Sequence, residues 1–177
     1  NNLNISASTS STSTASGCIA LSNSTIAATT GGNTGNFNTF TNCNTEGGYN
    51  GASIYGTAAA TITGNSFIGC NFRNAYLYGL YSIYSTASIV RSCLVERPTR
   101  TAISTGYGIY FSTGSVNSLI EKNRVRNLFG GAITSTTTGY GISVASAATA
   151  GNENRVINNL VSDIRSNGIF YGLYLSG

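Results

Sequence analysis

The chain has 177 residues, enough for one domain with a sizeable core, and its net charge of +4 comes from nine basic and five acidic side chains. Only 8% of the residues are charged and no window is dense in lysine and arginine, so the sequence predicts no nucleic-acid partner. No apolar run approaches the ~18 residues that a membrane span needs. Because the chain has no histidine and no CxxC pair among its four cysteines, it also lacks a zinc motif.

The first 35 residues differ from the rest of the chain. The stretch from Ser6 to Ser16 is almost entirely serine and threonine, which is typical of a linker or a flexible loop. The short apolar stretch from Gly17 to Leu21 is compatible with one irregular extra turn of the structure that follows. The sequence therefore predicts an irregular or partial repeat over residues 1–35 and a main domain over residues 36–177.

A repeat of about 30 residues begins after residue 35. Tyr-Gly dipeptides followed by an aliphatic residue recur four times, and a weaker copy reads Asn50-Gly51-Ala52. The glycines of the five copies are Gly51, Gly79, Gly108, Gly141 and Gly172, which are 28, 29, 33 and 31 residues apart. The tyrosines that precede four of them (Tyr78, Tyr107, Tyr140 and Tyr171) have the parity of a buried face, so we expect them in the core.

A second motif, aliphatic-x-x-Asn-x-apolar, recurs in phase with the first. It predicts an asparagine ladder of Asn38, Asn65, Asn123 and Asn159 at a bend, with Cys93 replacing asparagine in one copy. Asparagine suits a bend because it tolerates the left-handed conformation and its amide can bond to the asparagine above and below. The apolar positions two residues later predict an interior ladder of Phe40, Phe67, Val95, Val125 and Val161.

Within each repeat the apolar residues alternate with a period of two, which indicates strands with one buried face. After each Tyr-Gly pair, aliphatic residues flank a more polar one, as in Leu80-Tyr81-Ser82 and Ile109-Tyr110-Phe111. A single repeat cannot bury its own apolar face, whereas stacked repeats about 4.8 Å apart close a continuous core. The sequence thus predicts an all-β solenoid of parallel strands.

These repeats resemble the right-handed parallel β-helices of the pectate-lyase-like superfamily, above all the long Asn/Thr/Gly-rich versions in secreted bacterial proteins of the type IX secretion kind. The resemblance covers residues 36–177 and implies about five rungs of roughly 28–33 residues each. It also implies a secreted or cell-surface location and an adhesive or polysaccharide-related role. Because the chain stops inside a repeat, we expect it to be part of a longer solenoid.

The acidic residues of the sequence do not form a pattern that is typical of a catalytic site. Glycoside hydrolysis needs paired carboxylates, and calcium-assisted lyases need several acidic ligands. The five acids are Glu46, Glu96, Glu121, Glu153 and Asp163, and no two of them share a predicted rung. Glu96 with Arg126, and Arg91 with Glu121, are instead predicted as exposed ion pairs between neighbouring rungs. The sequence predicts no catalytic residue, no metal site and no cofactor, and an enzymatic role stays open without being favoured.

Three tyrosines are weak candidates for ligand binding. Tyr81, Tyr110 and Tyr174 follow the Gly-aliphatic pair and have the parity of the outer face, where an aromatic ring can stack on a sugar and its hydroxyl can donate a hydrogen bond. A glycan is one candidate partner. The alternative is that the rings stack on one another to stabilise the sheet, or are covered by a neighbouring domain or subunit.

The cysteines at 43 and 70 each follow an apolar anchor by three residues, which predicts one interior column on adjacent rungs. Cys93 is predicted to lie at a bend, five residues earlier in its own rung. Side chains on stacked parallel strands point the same way, which disfavours disulfide torsion angles near ±90°. Cys43 and Cys70 are therefore predicted to be reduced core residues.

Taken with the resemblance, these features predict a noncatalytic extracellular β-helix that serves as a scaffold or adhesive segment of a large secreted or cell-surface protein. The alternative is the carbohydrate-contacting part of a polysaccharide-active lyase or hydrolase whose catalytic residues lie elsewhere. A segment of a phage or surface fibre is a third interpretation.

Overall fold

The computed structural model describes residues 2–22, 31–32 and 35–177, and every regular element within them is a β-strand. In chain order the strands are β1 (Asn4–Ser6), β2 (Gly17–Leu21), β3 (Thr39–Thr41), β4 (Asn44–Glu46), β5 (Asn50–Tyr55), β6 (Ile62–Thr63), β7 (Ser66–Ile68), β8 (Asn71–Arg73), β9 (Tyr78–Ile83), β10 (Ser85–Thr86), β11 (Ile89–Arg91), β12 (Leu94–Glu96), β13 (Gly106–Phe111), β14 (Leu119–Glu121), β15 (Arg124–Arg126), β16 (Gly139–Ala145), β17 (Arg155–Ile157), β18 (Leu160–Ser162) and β19 (Phe170–Ser176). Across the described ranges, no helix has the length and apolar character to cross a membrane.

The strands form three long parallel sheets. The first sheet has the order β1-β4-β8-β12-β15-β18, the second β2-β5-β9-β13-β16-β19, and the third β3-β7-β11-β14-β17. A short parallel pair, β6 with β10, adds a fourth side. Since each strand pairs with its counterpart one repeat earlier and one repeat later, the chain winds as a parallel β-helix, and the prediction of a stacked solenoid is confirmed.

Each turn of the solenoid after residue 36 contributes one strand to the third, the first and the second sheet in succession, which gives five rungs. Strands β1 and β2 extend the solenoid by a partial rung, because they pair with β4 and β5. Part of the predicted irregular segment over residues 1–35 is thus built into the sheets, while residues 23–30 and 33–34 lie outside the described ranges.

The five repeat glycines form one column in the second sheet, as predicted. A Cβ atom added to Gly51 would lie 2.6 Å from the carbonyl oxygen of Gly79, and one added to Gly79 would lie 2.6 Å from that of Gly108. Neighbouring rungs approach so closely here that a side chain has no room. Glycine is therefore required by this close approach of backbone to backbone.

The predicted single asparagine ladder is wrong, because its members belong to two different bends. Before the third sheet, Asn38 stacks on Asn65, and this column continues through Ser88, Ser118 and Asn154. Before the first sheet, Asn123 stacks on Asn159, and this second column begins with Cys43, Cys70 and Cys93. Each rung has two such bends five residues apart, and in most rungs an apolar residue follows two positions after each bend residue.

The interior ladders are divided in the same way. Phe40 and Phe67 stack with their ring centroids 4.9 Å apart, and their column continues through Val90, Ile120 and Val156 of the third sheet. Val95, Val125 and Val161 instead follow Phe72 in the first sheet. The core of the solenoid is thus lined by two apolar columns where the sequence had predicted one.

The cysteine prediction is right for the first pair and wrong for the third member. Cys43 and Cys70 are buried free thiols on adjacent rungs of one column. Cys93 is also a buried free thiol, but it follows Cys70 in that same column and does not lie five residues earlier. The three thiols therefore occupy successive rungs of one column, and in the next two rungs that column is occupied by Asn123 and Asn159.

The tyrosines that precede the repeat glycines are not in the core, contrary to the prediction. A Cβ atom at Gly79 would contact the interior side chain of Val95, and the next residue, Leu80, is fully buried. Two successive residues thus face inward, which breaks the period-two alternation at the glycine. Tyr78 is consequently turned to the outer face, beside Tyr81, with a ring-centroid distance of 4.4 Å.

Candidate functional site

The outer surface of the second sheet carries a continuous array of aromatic rings, which we call the tyrosine face. Ten of the eleven tyrosines in the chain belong to it: Tyr49, Tyr55, Tyr76, Tyr78, Tyr81, Tyr107, Tyr110, Tyr140, Tyr171 and Tyr174. Because the Tyr-Gly repeat puts one tyrosine on the outside of successive rungs, the array follows directly from the sequence period.

The inner column of the tyrosine face uses its ring surfaces for self-stacking. Tyr107 and Tyr140 are nearly parallel, with centroids 4.7 Å apart and an interplanar angle of 5°. Tyr140 and Tyr171 continue the stack at 5.2 Å and 14°. These rings therefore present mainly their edges and hydroxyl groups to solvent, and such offset stacks are favourable beyond the apolar area that they bury.

The three predicted ligand-binding tyrosines occupy different environments along this face. Tyr81 is only 7% exposed, because Tyr55, Tyr78 and Tyr110 pack around its ring. Tyr110 is half-buried, whereas Tyr174 at the end of the solenoid is 37% exposed. Ser143 interrupts the column between Tyr110 and Tyr174, so the three rings do not form one continuous surface.

Burial keeps several hydroxyl groups of the tyrosine face protonated well into the alkaline range. It raises the pKa of Tyr78 and of Tyr81 well above the ordinary value for a phenol, and it also raises the pKa of Tyr107. At neutral pH these three phenols are therefore uncharged and can donate hydrogen bonds.

A small cavity opens in the tyrosine face near the beginning of the solenoid. It has a volume of about 150 Å³ and is lined by Thr14, Tyr49, Asn50, Tyr55, Tyr78 and Tyr81. Asn50 holds the position that tyrosine holds in the next four rungs, and Gly17 holds it one rung earlier. The side chain of Asn50 is shorter than that of tyrosine, and Gly17 has none, so the row of tyrosine rings is interrupted here and leaves the cavity. The sequence signal for this cavity was the weaker repeat copy Asn50-Gly51.

The carboxamide of Asn50 is the distinctive polar group of this cavity. Asn50 is fully buried, and neither its Oδ1 nor its Nδ2 has a hydrogen-bond partner in the described part of the chain. An unsatisfied buried amide costs free energy, so such a group in a folded protein calls for a water or a ligand as its partner.

The outer face of the first sheet carries two further ladders. Asn4, Asn44 and Asn71 are joined by amide hydrogen bonds of 2.7 and 2.6 Å, a ladder that the Cys-Asn dipeptides at 43–44 and 70–71 could have indicated. Beside it, Glu46, Arg73, Glu96 and Arg126 alternate in charge along one column. Glu96 accepts hydrogen bonds from Nε of Arg73 at 2.9 Å and from Nε of Arg126 at 2.8 Å.

This charged column borders a groove of about 570 Å³ lined by Arg73, Glu96, Pro98, Arg126, Asn127, Gly130, Ile133, Asp163 and Arg165. Both predicted cross-rung ion pairs, Glu96 with Arg126 and Arg91 with Glu121, are confirmed. The Glu96 pair is more buried than predicted, since the Glu96 side chain is almost enclosed.

The remaining acids are engaged as well. Glu46 accepts a 2.6 Å hydrogen bond from Nδ2 of Asn74, Glu153 accepts one from the backbone of Gly151, and Asp163 lies 3.8 Å from Arg124. Among the residues that the structure describes, no three acidic or sulfur side chains come together in a way that could hold a metal ion.

A family description, "Right handed beta helix region", matches residues 2–175, which is nearly the whole chain. Comparison with curated proteins and with solved structures finds no match. The family match agrees with the stacked parallel sheets, the two kinds of bend column and the glycine column described above. The chain therefore belongs to the right-handed parallel β-helix family.

Proposed function

We propose that this chain is a noncatalytic scaffold segment that uses the tyrosine face as an adhesive surface for glycans. The observation that carries the proposal is the face itself: a row of rings and hydroxyls along the second sheet, in which Tyr107, Tyr110 and Tyr140 are partly exposed between neighbouring rungs. Exposed tyrosine combines apolar contact area with a hydrogen-bonding hydroxyl, which suits recognition of sugars.

The paired state of the acids supports the noncatalytic part of the proposal. Both oxygens of Glu96 are occupied by guanidinium groups, and Glu121 is paired with Arg91. Carboxylates that act in glycoside hydrolysis must instead face the scissile bond as a pair. The isolated chain should therefore turn over no polysaccharide. Cleavage that disappears in Asp163→Asn or Glu121→Gln would contradict the proposal.

We also propose that the segment works outside the bacterial cell, as part of a large secreted or surface protein of the type IX secretion kind. The low charge content and the Asn/Thr/Gly-rich rungs support this location through the resemblance to such proteins. The same features suit a surface or phage fibre, so the adhesive surface rather than the parent assembly is the part to test first.

A glycan array tests the adhesive surface. We expect the wild-type chain to bind a subset of the glycans, and the double variant Tyr171→Ser, Tyr174→Ser to lose at least about tenfold in signal because it removes the exposed rings. Leu160→Ser is the matched control, since it removes an exposed apolar side chain of the first sheet that lies outside both the tyrosine face and the groove. Equal binding by wild type and the double variant would contradict the proposal.

The groove on the first sheet favours a second candidate function, the carbohydrate-contacting part of a polysaccharide-active enzyme. Arg73, Arg126 and Arg165 line it, and such side chains bind the carboxylates of acidic sugars. If this candidate is correct, Arg73→Gln should weaken binding of an acidic polysaccharide in the glycan array while the tyrosine variants leave it unchanged.

A further inference from the structure

The cavity at Asn50 differs from the rest of the tyrosine face in being concave and in containing an amide without a partner. Four tyrosines and Thr14 line it together with Asn50, whose buried carboxamide has no hydrogen-bond partner among the described residues. From these two independent features we infer that the cavity is a binding site for one pyranose ring of an uncharged sugar. The inference rests on the proposed adhesive function and names the ligand class for one place on that face.

The size of the cavity limits the ligand to a single ring. Sites for drug-sized molecules begin at about 300 Å³, twice the volume found here. An apolar cavity of about 150 Å³ in another protein holds benzene, so a cavity of this volume that opens to solvent can take the ring of one pyranose with part of its hydroxyl groups left outside. The site therefore fits a free monosaccharide or the terminal ring of a glycan, and excludes the interior of a chain.

The chemistry of Asn50 selects the kind of ring. Its Oδ1 needs a donor and its Nδ2 needs an acceptor, and both requirements are unmet by the described residues. Two neighbouring hydroxyl groups of a sugar supply both, since each hydroxyl donates and accepts. The C–H face of the same ring can pack on a tyrosine ring such as Tyr78 or Tyr81.

Charged ligands fit less well. An ammonium group would satisfy Oδ1 alone, and a carboxylate or phosphate would satisfy Nδ2 alone, so either would leave one buried polar atom unpaired. Among the described residues that line the cavity there is no lysine, arginine, aspartate or glutamate. The raised pKa of Tyr78 and Tyr81 also keeps their phenols neutral.

Access to the amide requires one tyrosine ring to move. Asn50 is shielded from water, whereas Tyr49, Tyr55 and Tyr78 in front of it are partly exposed. A ligand can therefore reach Asn50 without any change in the backbone of the solenoid.

The test is a titration of the chain with methyl glycosides of glucose, galactose and mannose, followed by saturation-transfer NMR and by tyrosine fluorescence, which no tryptophan obscures. Wild type should bind at least one glycoside saturably. Asn50→Tyr fills the gap with the residue found in the next four rungs and should abolish binding. Asn50→Ala removes only the amide and should weaken binding about tenfold or more, which corresponds to the loss of about one hydrogen-bonded contact.

Circular dichroism would establish that both variants keep the β-sheet signal of the wild type, and Asn50→Ala carries the test if Asn50→Tyr does not fold. Leu160→Ser is the control that should keep glycoside binding, because Leu160 is exposed on the first sheet, away from the tyrosine face. Comparison of each methyl glycoside with an oligosaccharide that ends in the same sugar separates a site for free sugar from a site for chain ends.

Two outcomes would overturn the inference: no saturable binding of any glycoside by wild type, which would leave the cavity as a water site, or unchanged binding by Asn50→Ala. Neither result contradicts the proposed function if the chain binds glycans on the array and the double variant Tyr171→Ser, Tyr174→Ser weakens that binding. Conversely, the chain could bind a glycoside through Asn50 and yet bind no glycan on the array. That result would support the cavity as a sugar site and contradict the proposed adhesive face.

Discussion

At the scale of single residues, the bend before the first sheet is held by side chains that reach back one rung. Nδ2 of Asn123 donates to the carbonyl oxygen of Val90 at 2.9 Å, and Sγ of Cys93 donates to the equivalent oxygen of Phe67 at 3.4 Å. Cysteine and asparagine thus make the same contact in one column. Asparagine adds a second bond, because Oδ1 of Asn123 accepts the backbone N–H of Cys93 at 2.9 Å.

This equivalence predicts the effect of replacing Asn123. Asn123→Leu leaves a backbone N–H and a carbonyl oxygen buried without partners, so it should lower the free energy of unfolding by about 2–4 kcal/mol. Asn123→Cys keeps one donor to Val90 and should cost about half as much. Urea denaturation of the two variants measures the difference. Equal losses, or a larger loss for cysteine, would show that the side-chain donor does not hold the bend.

The stacked thiols predict a second residue-scale result. A thiol reacts as the thiolate, and the hydrogen bond between Cys93 and Cys70, together with burial, raises the pKa of Cys93. The same hydrogen bond lowers the pKa of Cys70 to about 6, so the protection of the three thiols rests on the burial of their side chains. Alkylation of the native chain should therefore spare Cys43, Cys70 and Cys93, whereas the unfolded, unreduced chain should have four free thiols. Mass spectrometry counts the modified cysteines. A count of two free thiols after unfolding would show that neighbouring rungs are bridged.

At the scale of strands, the glycine column brings neighbouring rungs of the second sheet into close backbone contact. Gly79→Ala would put a methyl group against the Gly108 carbonyl oxygen and the Val95 side chain, so it should cost about 2–3 kcal/mol. Gly172→Ala, in the same column, meets nothing within 4 Å and should change stability by less than about 0.5 kcal/mol. Thermal unfolding of both variants measures this difference in stability. An equal loss of stability in the two variants would contradict the close backbone contact at Gly79.

The strands also explain which predictions the sequence supported. The parallel solenoid and the glycine column followed from the repeat period, because only stacked rungs bury the alternating apolar positions. The alignment of residues within a rung could not be predicted from the period. Asn65-x-Phe67 and Asn123-x-Val125 fit the same motif, although the first lies at the bend before the third sheet and the second at the bend before the first sheet. The outward position of Tyr78 was missed for a similar local reason, since the glycine after it interrupts the alternation.

At the scale of the whole molecule, the rungs are not equally protected. Leu173 and Leu175 hold core positions of the second sheet, yet they are 53% and 62% exposed because no described rung covers them. Their counterparts one rung earlier, Ile142 and Val144, are buried. In a solenoid each repeat is stabilised by its neighbours, so the last rung has only half of the usual contacts.

Hydrogen exchange should follow this gradient. We expect the amides of β9 and β13 to exchange most slowly and those of β17 to β19 to exchange fastest, because local opening begins where stabilising contacts are fewest. Exchange followed by mass spectrometry of peptides resolves the rungs. Uniform protection through β19 would show that the last rung is covered in solution, for example by a second copy of the chain.

The register of the solenoid underlies the tyrosine face, the Asn50 cavity and both bend columns, and amide-resolved NOE spectroscopy tests it most directly. If this register is correct, Cys93 contacts Cys70 and the side chain of Asn123, and Tyr107 contacts Tyr78 and Tyr140. Contacts of Cys93 with Asn65 in their place, or antiparallel contacts between β9 and β13, would contradict it.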